Sequence, residues 1–303
     1  MEIDEFQALA AETMQFDVDK ESALSIVILG LNGEVGSLST VYKKKLRDGD
    51  SYVIFREKIV EELGDIIWYL SSIATIEKIP LSEILAYNFK KTQDRWADLQ
   101  GKVQLELEGE FYDDDYEEAE QFPREFVAEF QESTDTKGKH CIKVHINGKE
   151  FGDSIRDNHY MDDYYRYHDL FHLSYVTVLG WSPTARGLLK RKRRSNDQVN
   201  EIEDGGRAIV IDEAISALVF EHARNHNFYE GIKSLDEQLL QTIILLTRHL
   251  EVSSTTPKQW EKAILLGFEI WRKMCKEKSG RVVCNLHEKT MIFESIQELQ
   301  PNL

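Results

Sequence analysis

The sequence predicts a mainly α-helical protein with an antiparallel four-helix bundle, a small β-hairpin or sheet insertion and a second, mostly helical domain. Two observations support this fold class. In the first third, apolar residues recur at helical spacing in four stretches with short connections, which is typical of an up-and-down bundle. Further along, residues 126–130 and 141–146 alternate as strands do, and Asn147-Gly148 is a strong hairpin signal before residues 149–151.

The predicted elements divide the 303 residues into three segments. Residues 1–101 form the bundle, 102–156 an acidic loop with the small sheet, and 157–303 a helical domain whose role stays open. Apolar residues make up 42% of the chain and aromatic ones 10%, which is enough for packed cores. The net charge of −17 argues against general binding of nucleic-acid backbones.

The N-terminus, the length of the apolar runs and the cysteines indicate a cytoplasmic protein. The N-terminus is acidic, unlike a signal peptide, and we find no apolar run of the length of a membrane span. Cys141, Cys275 and Cys284 lack the spacing of a metal site and cannot form an even set of disulfides. We therefore expect reduced thiols and no membrane contact.

Local signals set the expected bounds of the helices. The bundle helices are predicted over 3–15, 20–46, 52–78 and 82–100, with Pro80 separating the last two. In the C-terminal half, helices are predicted over 158–179, up to 223, over 235–250 and over 258–277, with a short strand at 280–284. Short connections between the first four helices favour antiparallel neighbours.

Three acidic residues stand out in the bundle. Glu34 lies on the second helix, whereas Glu62 and Asp65, three residues apart, share one face of the third. Two antiparallel helices in contact would bring the three carboxylates to one point. Oxygen ligands of this kind suit Mg²⁺ or Mn²⁺, and the alternative is a solvated polar face without a ligand.

Glycines accompany these acidic residues. Gly33 and Gly36 stand beside Glu34, and Gly64 precedes Asp65. Glycine in a helix interior costs about 0.5–1 kcal/mol relative to alanine. The three glycines therefore indicate either a close approach of helices or space for a ligand.

Six motifs within residues 6–96 form a specific combination. They are Phe6-Gln7 with Thr13, Gly33-Glu34-Val35-Gly36, Lys43-Lys44, Glu61-Glu62-Leu63-Gly64-Asp65, Trp68-Tyr69-Leu70 and Asn88-x-x-Lys91-x-x-x-Arg95. Together they resemble the MazG family of all-α nucleoside triphosphate pyrophosphohydrolases. The resemblance implies a MazG-like bundle, Mg²⁺ or Mn²⁺ as cofactor, and assembly into dimers or tetramers. One hypothesis makes the C-terminal half a diverged second copy.

The resemblance also implies roles for individual residues. Glu34, Glu62 and Asp65 match family ligands of Mg²⁺, but Ser37 stands where the family has a further glutamate. Glu61 is expected to act as a base or as a partner of the ligands. The phosphates and the nucleoside are expected to contact Lys43, Lys44, Trp68, Asn88, Lys91 and Arg95.

The C-terminal half carries a second candidate metal site. His168 and His172 are four residues apart, a known spacing of metal ligands on a helix. Asp169 and Glu213 are the carboxylates that could complete such a site. The alternative is a pair of histidines that find partners in an aromatic-rich core.

Two charged segments have simple explanations as solvated loops. The first is the acidic run 113–120, which could alternatively tune the access of an anionic substrate. The second is the basic segment 190–194, whose alternatives are contact with a phosphate-rich ligand, with nucleic acid, or with the acidic run of a neighbouring subunit.

We predict a Mg²⁺-dependent hydrolase that converts a ribo- or deoxyribonucleoside triphosphate to the monophosphate and pyrophosphate. Because Ser37 removes one ligand charge, an alternative is a nucleotide-binding sensor or scaffold without hydrolysis. A third hypothesis moves catalysis to the region of His168, His172 and Glu213. The sequence does not indicate a preference for base or sugar.

Overall fold

The computed structural model describes residues 1–15, 22–96, 111–134, 138–157 and 159–295. Near the end of the fourth helix, the described side chains are those up to residue 90 and that of residue 92. The chain divides into two compact units, Met1–Ala97 and Asp98–Leu303. The strands predicted within 102–156 belong to the second unit, where they share one sheet with strands from the end of the chain.

Unit 1 is helical throughout its described residues. Its helices are α1 Ile3–Glu12, α2 Ala23–Asp48, α3 Phe55–Ile76 and α4 Leu81–Trp96. Helix α2 packs along α3, and α1 contacts both α3 and α4. Asp4 on α1 accepts hydrogen bonds from the backbone N–H and the hydroxyl of Ser82, at 2.9 and 2.6 Å, which satisfies a free donor at the start of α4. The predicted helical character is confirmed, whereas a MazG-like arrangement stays a proposal.

A tight contact between α2 and α3 involves a glycine other than those predicted. A Cβ atom at Gly30 would lie 2.2 Å from Cε1 of Tyr69, so only glycine fits there. At Gly33, Gly36 and Gly64 an added Cβ would meet no described atom within 4 Å. These three glycines are solvent-exposed and do not mark a helix contact.

Unit 1 leaves much apolar surface exposed. The most exposed large side chains on its helices and turns include Leu29, Leu46, Val53, Tyr87 and Phe89. By length and composition, the segment Ala23–Ser51 is also long and apolar enough to cross a membrane. This corrects the expectation that no apolar run reaches that length: Glu34 and several uncharged polar residues interrupt the run, but an 18-residue window of it has a mean hydropathy of 1.4. Such a segment alone is weak evidence for a membrane protein.

Unit 2 is built on a five-stranded antiparallel sheet. Its strands are β1 Glu125–Thr134, β2 His140–Ile146, β3 Lys149–Glu150, β4 Gly280–Asn285 and β5 Thr290–Ser295, in the order β3-β2-β1-β4-β5. The hairpin at Asn147-Gly148 is confirmed, and both residues have positive φ angles of 48° and 76°. The central strand β1 pairs with β2 and with the distant β4, as in the pair Phe126 and Cys284. Strand β5 was not predicted.

Helices cover this sheet and enclose the core. They are α5 Asp169–Leu179, α6 Pro183–Leu188, α7 Asp197–Ile202, α8 Gly206–Arg224, α9 Glu237–Thr247 and α10 Pro257–Glu277. Every residue of α5 is buried, between α10 and strands β4 and β5. The short helices α6 and α7 were not predicted. The described part of unit 2 thus combines strands and helices, and it does not repeat the arrangement of α1–α4.

The helix predicted over 158–179 begins only at Asp169. Before it, the side chains of Asp162 and Asp163 accept hydrogen bonds from backbone N–H groups two residues on, which stabilises turns in place of a helix. Tyr164 adopts a left-handed conformation with φ of 65°. The buried Arg166 then fixes the loop through a 2.7 Å bond to Asp157. Local side-chain bonding therefore overrides the helical pattern.

The acidic and basic segments are partly buried, which corrects their interpretation as solvated loops. Arg191 joins them by donating to the backbone oxygen of Glu118 at 2.5 Å. Asp113, 1% exposed, pairs with Arg186 at 2.8 Å. Arg193, also 1% exposed, pairs with Asp204 and Glu251 at 2.7 Å each. The acidic partners of Arg193 therefore belong to the same chain and lie outside the acidic run.

The start of α8 gives a prediction about stability. A Cβ atom at Gly205 would lie 1.8 Å from the backbone oxygen of Glu201, whereas one at Gly206 would meet nothing within 4 Å. We expect Gly205→Ala to lower the free energy of unfolding by about 1–3 kcal/mol, because the backbone must shift. Gly206→Ala is the matched control and should change it by no more than about 0.5 kcal/mol. Urea unfolding of both variants tests this, and equal stabilities would contradict the contact.

Candidate functional site

The structure brings together the three acidic residues singled out in unit 1. Glu34 of α2 and Glu62 and Asp65 of α3 each place a carboxylate oxygen within 4.8 Å of the other two. Packing of α2 along α3 produces this convergence, because Glu62 and Asp65 lie almost one turn apart on the face towards α2. Glu34 and Glu62 are partly buried and Asp65 is exposed, so the cluster opens to solvent.

The electrostatics of this cluster favour a cation. Burial, with the negative charges of Asp65 and Glu62, raises the pKa of Glu34 above its usual value. Like charges at this distance repel unless a proton or a positive ion lies between them. All the donor atoms are carboxylate oxygens, as Mg²⁺ and Mn²⁺ prefer. The residues therefore fit a hard divalent ion.

Other predicted residues of unit 1 lie outside this cluster. Glu61 forms an ion pair with Lys58 at 2.6 Å. Lys43 and Lys44 are exposed near the end of α2, with Lys43 nine residues, or about 14 Å of helix, beyond Glu34. Among the described hydrogen bonds and ion pairs, none links these three residues to the carboxylates.

The remaining predicted substrate contacts are less well defined. Trp68 donates its indole N–H to Thr13 at 2.7 Å and meets Tyr69 edge-on, so in this structure it joins α3 to α1. Asn88 is exposed on α4, which packs against α1. Lys91 and Arg95 lie on the same helix, but their side chains fall outside the described residues.

The structure also brings together three of the four residues of the second candidate site. His168, His172 and Glu213 each offer a ligand atom within 4.8 Å of the other two. His168 lies just before α5, His172 lies within it, and Glu213 comes from α8. Asp169 lies at the edge of this cluster, with Oδ1 3.8 Å from Nε2 of His168. A cavity of about 470 Å³ borders the cluster.

Asp212 is a member of this site that sequence analysis missed. It is fully buried, and its Oδ1 lies 2.9 Å from Nδ1 of His172. A signal was present, since Asp212 occupies a core position of α8, between Ala208 and Ile215, where an aspartate needs partners. Its Oδ2 accepts hydrogen bonds from the hydroxyl of Ser182 and from a backbone N–H.

The charges of this second cluster are strongly coupled. Burial opposes the charged form of His172, but Asp212 and Glu213 raise its pKa well above the usual value. Burial raises the pKa of Asp169, although both histidines counteract this effect. Burial also disfavours ionised Glu213, yet the two histidines lower its pKa. Each group therefore depends on its neighbours for its charge.

Comparison with known proteins locates the family likeness. Gene 37 protein of Mycobacterium phage L5 is 35% identical over 101 residues, which cover 31% of this chain and 89% of that protein. No solved structure gives a significant match. The family model described as the MazG C-terminal domain matches residues 108–297.

This match corrects the position of the resemblance. Sequence analysis placed it in residues 6–96, whereas the family model covers the half whose role was left open. The motifs of the first third consequently support a proposal and do not define the family. Because the match extends over more than half of the sequence, the chain belongs to the MazG C-terminal domain family.

Proposed function

We propose that the protein is a Mg²⁺- or Mn²⁺-dependent nucleoside triphosphate pyrophosphohydrolase that acts in the cytoplasm, with its catalytic site in unit 1. The observation that carries this proposal is the convergence of Glu34, Glu62 and Asp65 within 4.8 Å. The motif resemblance of residues 6–96 and the family match of the C-terminal half support the same class of reaction.

In this proposal the three carboxylates hold the ion, which neutralises the triphosphate and lowers the pKa of a bound water. The packing of α2 along α3 places the oxygens of Glu34 and Glu62 close to each other. Ser37 replaces a glutamate of the family pattern, so the proposed site has one negative charge fewer. Its hydroxyl is a weaker metal ligand than a carboxylate.

Positive and aromatic residues complete the proposed substrate site. Lys43 and Lys44 have long side chains that can swing towards a bound triphosphate, and Lys91 and Arg95 would hold phosphate oxygens from α4. Glu61 would support the ligands or accept a proton after releasing Lys58. Trp68 would contact a base only after breaking its bond to Thr13, so we assign it chiefly to packing.

We further propose that unit 1 self-associates. Its helices expose large apolar side chains, among them Leu29 at 71% and Phe89 at 63%. A monomer rarely leaves so many exposed together. A dimer or tetramer would bury these side chains, so the apolar surface of α2 does not require a membrane. The charged Glu34 within α2 would also make insertion of this helix into a membrane costly.

The test measures pyrophosphate release from a panel of ribo- and deoxyribonucleoside triphosphates with Mg²⁺ or Mn²⁺. Glu62→Gln keeps the size of the side chain but removes a ligand charge, and we expect it to reduce release by at least about 100-fold. Glu57→Gln removes the same charge from an exposed position of α3 and serves as the matched control. Its release should stay within about twofold of the wild type.

The outcomes separate the hypotheses. Release that survives Glu62→Gln but is lost in His168→Ala would move the chemistry to unit 2. Tight triphosphate binding without pyrophosphate release at any metal concentration would favour the hypothesis of a nucleotide sensor. The observation that supports a sensor is Ser37, which stands where the family has a further glutamate. Release that needs Glu62 would establish the activity and name the preferred base and sugar.

A further inference from the structure

The cluster in unit 2 has the composition of a transition-metal site. Two imidazole nitrogens and one carboxylate oxygen lie within 4.8 Å of one another. Ligands about 2.0–2.1 Å from one ion in tetrahedral geometry are roughly 3.3 Å apart, so a small contraction would close the set. Nε2 of His172 already lies 3.5 Å from Oε2 of Glu213.

A buried nitrogen without a hydrogen bond is independent evidence for a missing ligand. His172 is completely buried, and its Nε2 makes no hydrogen bond among the described residues, although it has a longer ion-pair contact of 3.5 Å with Glu213. Leaving such a buried atom without a hydrogen bond destabilises the folded state. Oδ2 of the buried Asp169, which lines the neighbouring cavity, is also unsatisfied. A cation at the cluster would give Nε2 of His172 a partner.

Both imidazoles are oriented as metal ligands are. Nδ1 of His172 faces Oδ1 of Asp212 at 2.9 Å, and Nδ1 of His168 faces the backbone oxygen of Tyr165 at 3.0 Å. These acceptors place a proton on each Nδ1, so the lone pair of a neutral ring lies on Nε2, towards the cluster. Metal-binding histidines commonly donate their second N–H to a carboxylate or a carbonyl in this way.

The elements around the site hold the outer carboxylate firmly. Oδ2 of Asp212 accepts 2.6 and 3.1 Å hydrogen bonds from the Ser182 hydroxyl and the Thr184 backbone N–H. This fixes the carboxylate that in turn fixes His172. A histidine needed only for packing would not require such support on one nitrogen while the other is left without a partner.

The donor set selects the class of metal. Imidazole with carboxylate suits Zn²⁺ and its first-row neighbours, whereas Mg²⁺ prefers oxygen ligands alone. The cavity of about 470 Å³ is lined by Asp153, Arg156 and Thr184 as well as by two of the ligands, His168 and Glu213. A metal held by three protein ligands beside such a cavity keeps a coordination position for water or another small ligand.

We infer that His168, His172 and Glu213 bind one divalent transition-metal ion of the Zn²⁺ class, with an exchangeable position facing the cavity. This site is separate from the carboxylates of unit 1 and does not depend on the activity proposed for them. Asp212 acts as a positioning residue for His172.

The test uses the full-length chain, stripped of metal and titrated with Zn²⁺ in a calorimeter. We expect one tight site per chain, with a dissociation constant of about 1 µM or lower, that a millimolar excess of Mg²⁺ does not displace. Co²⁺ in place of Zn²⁺ should give a visible absorption band, and azide should shift this band by entering the exchangeable position.

The variants His168→Gln and Glu213→Gln test the ligands at positions that are partly solvent-accessible, so folding should be preserved. Each should weaken Zn²⁺ binding by at least about 100-fold, with an unchanged circular dichroism spectrum. His226→Gln is the matched control, since His222 and His226 form another i,i+4 pair in unit 2 with stacked rings 4.2 Å apart. It should leave the tight site unchanged, as should Glu62→Gln.

Zinc binding that survives both ligand variants, or that is lost in His226→Gln, would overturn the inference. So would the absence of a visible Co²⁺ band in the wild-type protein, and this measurement does not depend on any variant. Loss of pyrophosphate release in Glu62→Gln with intact Zn²⁺ binding would show that the two sites are distinct.

Discussion

Replacing Arg193 by methionine should lower the free energy of unfolding by about 3–5 kcal/mol. The guanidinium group is 1% exposed and bonds to Asp204 and to Glu251, with N···O distances of 2.7 Å to both. It also donates to the backbone oxygen of Tyr112 at 3.0 Å. Removing one partner of a buried ion pair leaves the opposite charge uncompensated, which costs more than the pair itself contributes.

The loss should be larger at neutral pH than at mildly acidic pH. Burial raises the pKa of Glu251, although Arg193 counteracts this effect. Without Arg193, a proton can neutralise the carboxylate as the pH falls, so part of the stability returns. Arg194→Met removes an exposed charge from the same basic segment and should change stability by no more than about 0.5 kcal/mol. Urea unfolding at pH 7 and pH 5 tests both variants, and equal midpoints would contradict the buried network.

Replacing Glu34 by glutamine should separate stability from function. The pKa of Glu34 is raised by burial and by the charges of Asp65 and Glu62. The folded state therefore binds this proton more tightly than the unfolded state does, and the metal-free protein gains stability as the pH falls through the folded pKa. At neutral pH the ionised group destabilises the fold, so Glu34→Gln should raise the melting temperature in EDTA.

Glu34→Gln should also remove the stabilisation of the folded protein by bound metal. We expect Mg²⁺ or Mn²⁺ to raise the melting temperature of the wild type, since an ion that binds only the folded state stabilises it. Glu34→Gln should abolish this increase and reduce pyrophosphate release by at least about 100-fold. Glu57→Gln, on an exposed position of α3, should respond to metal as the wild type does. A melting temperature of Glu34→Gln that still rises with metal would remove Glu34 from the proposed ligand set.

Helical periodicity made unit 1 largely predictable. Helices α1–α4 lie within a few residues of their predicted bounds, because apolar spacing and turn signals are local properties. The convergence of Glu34 with Glu62 and Asp65 followed from the same spacing, once two antiparallel helices were assumed. Apolar spacing predicted a helix that is too long at Asp162 and Asp163, because their side chains form local hydrogen bonds that compete with the helix.

Unit 2 depends on contacts that spacing does not encode. The partner of His172 is Asp212, forty residues away, and that of Arg193 is Glu251, fifty-eight residues away. Residue type alone did not show that the basic segment is partly buried, because a buried arginine and a solvated one look alike in sequence. The chemistry-bearing residue types were visible, but their partners required the tertiary structure.

The pairing of β1 with β4 determines when the sheet can be completed during synthesis. Unit 1 ends at residue 97, so its helices can pack against one another early in synthesis. One edge of β1 must wait for β4, about 150 residues later in the chain. At typical translation rates this wait lasts about 10–30 s, during which an unpaired strand edge is open to aggregation. Expression at lowered temperature, or with chaperones present, should therefore benefit unit 2 more than unit 1.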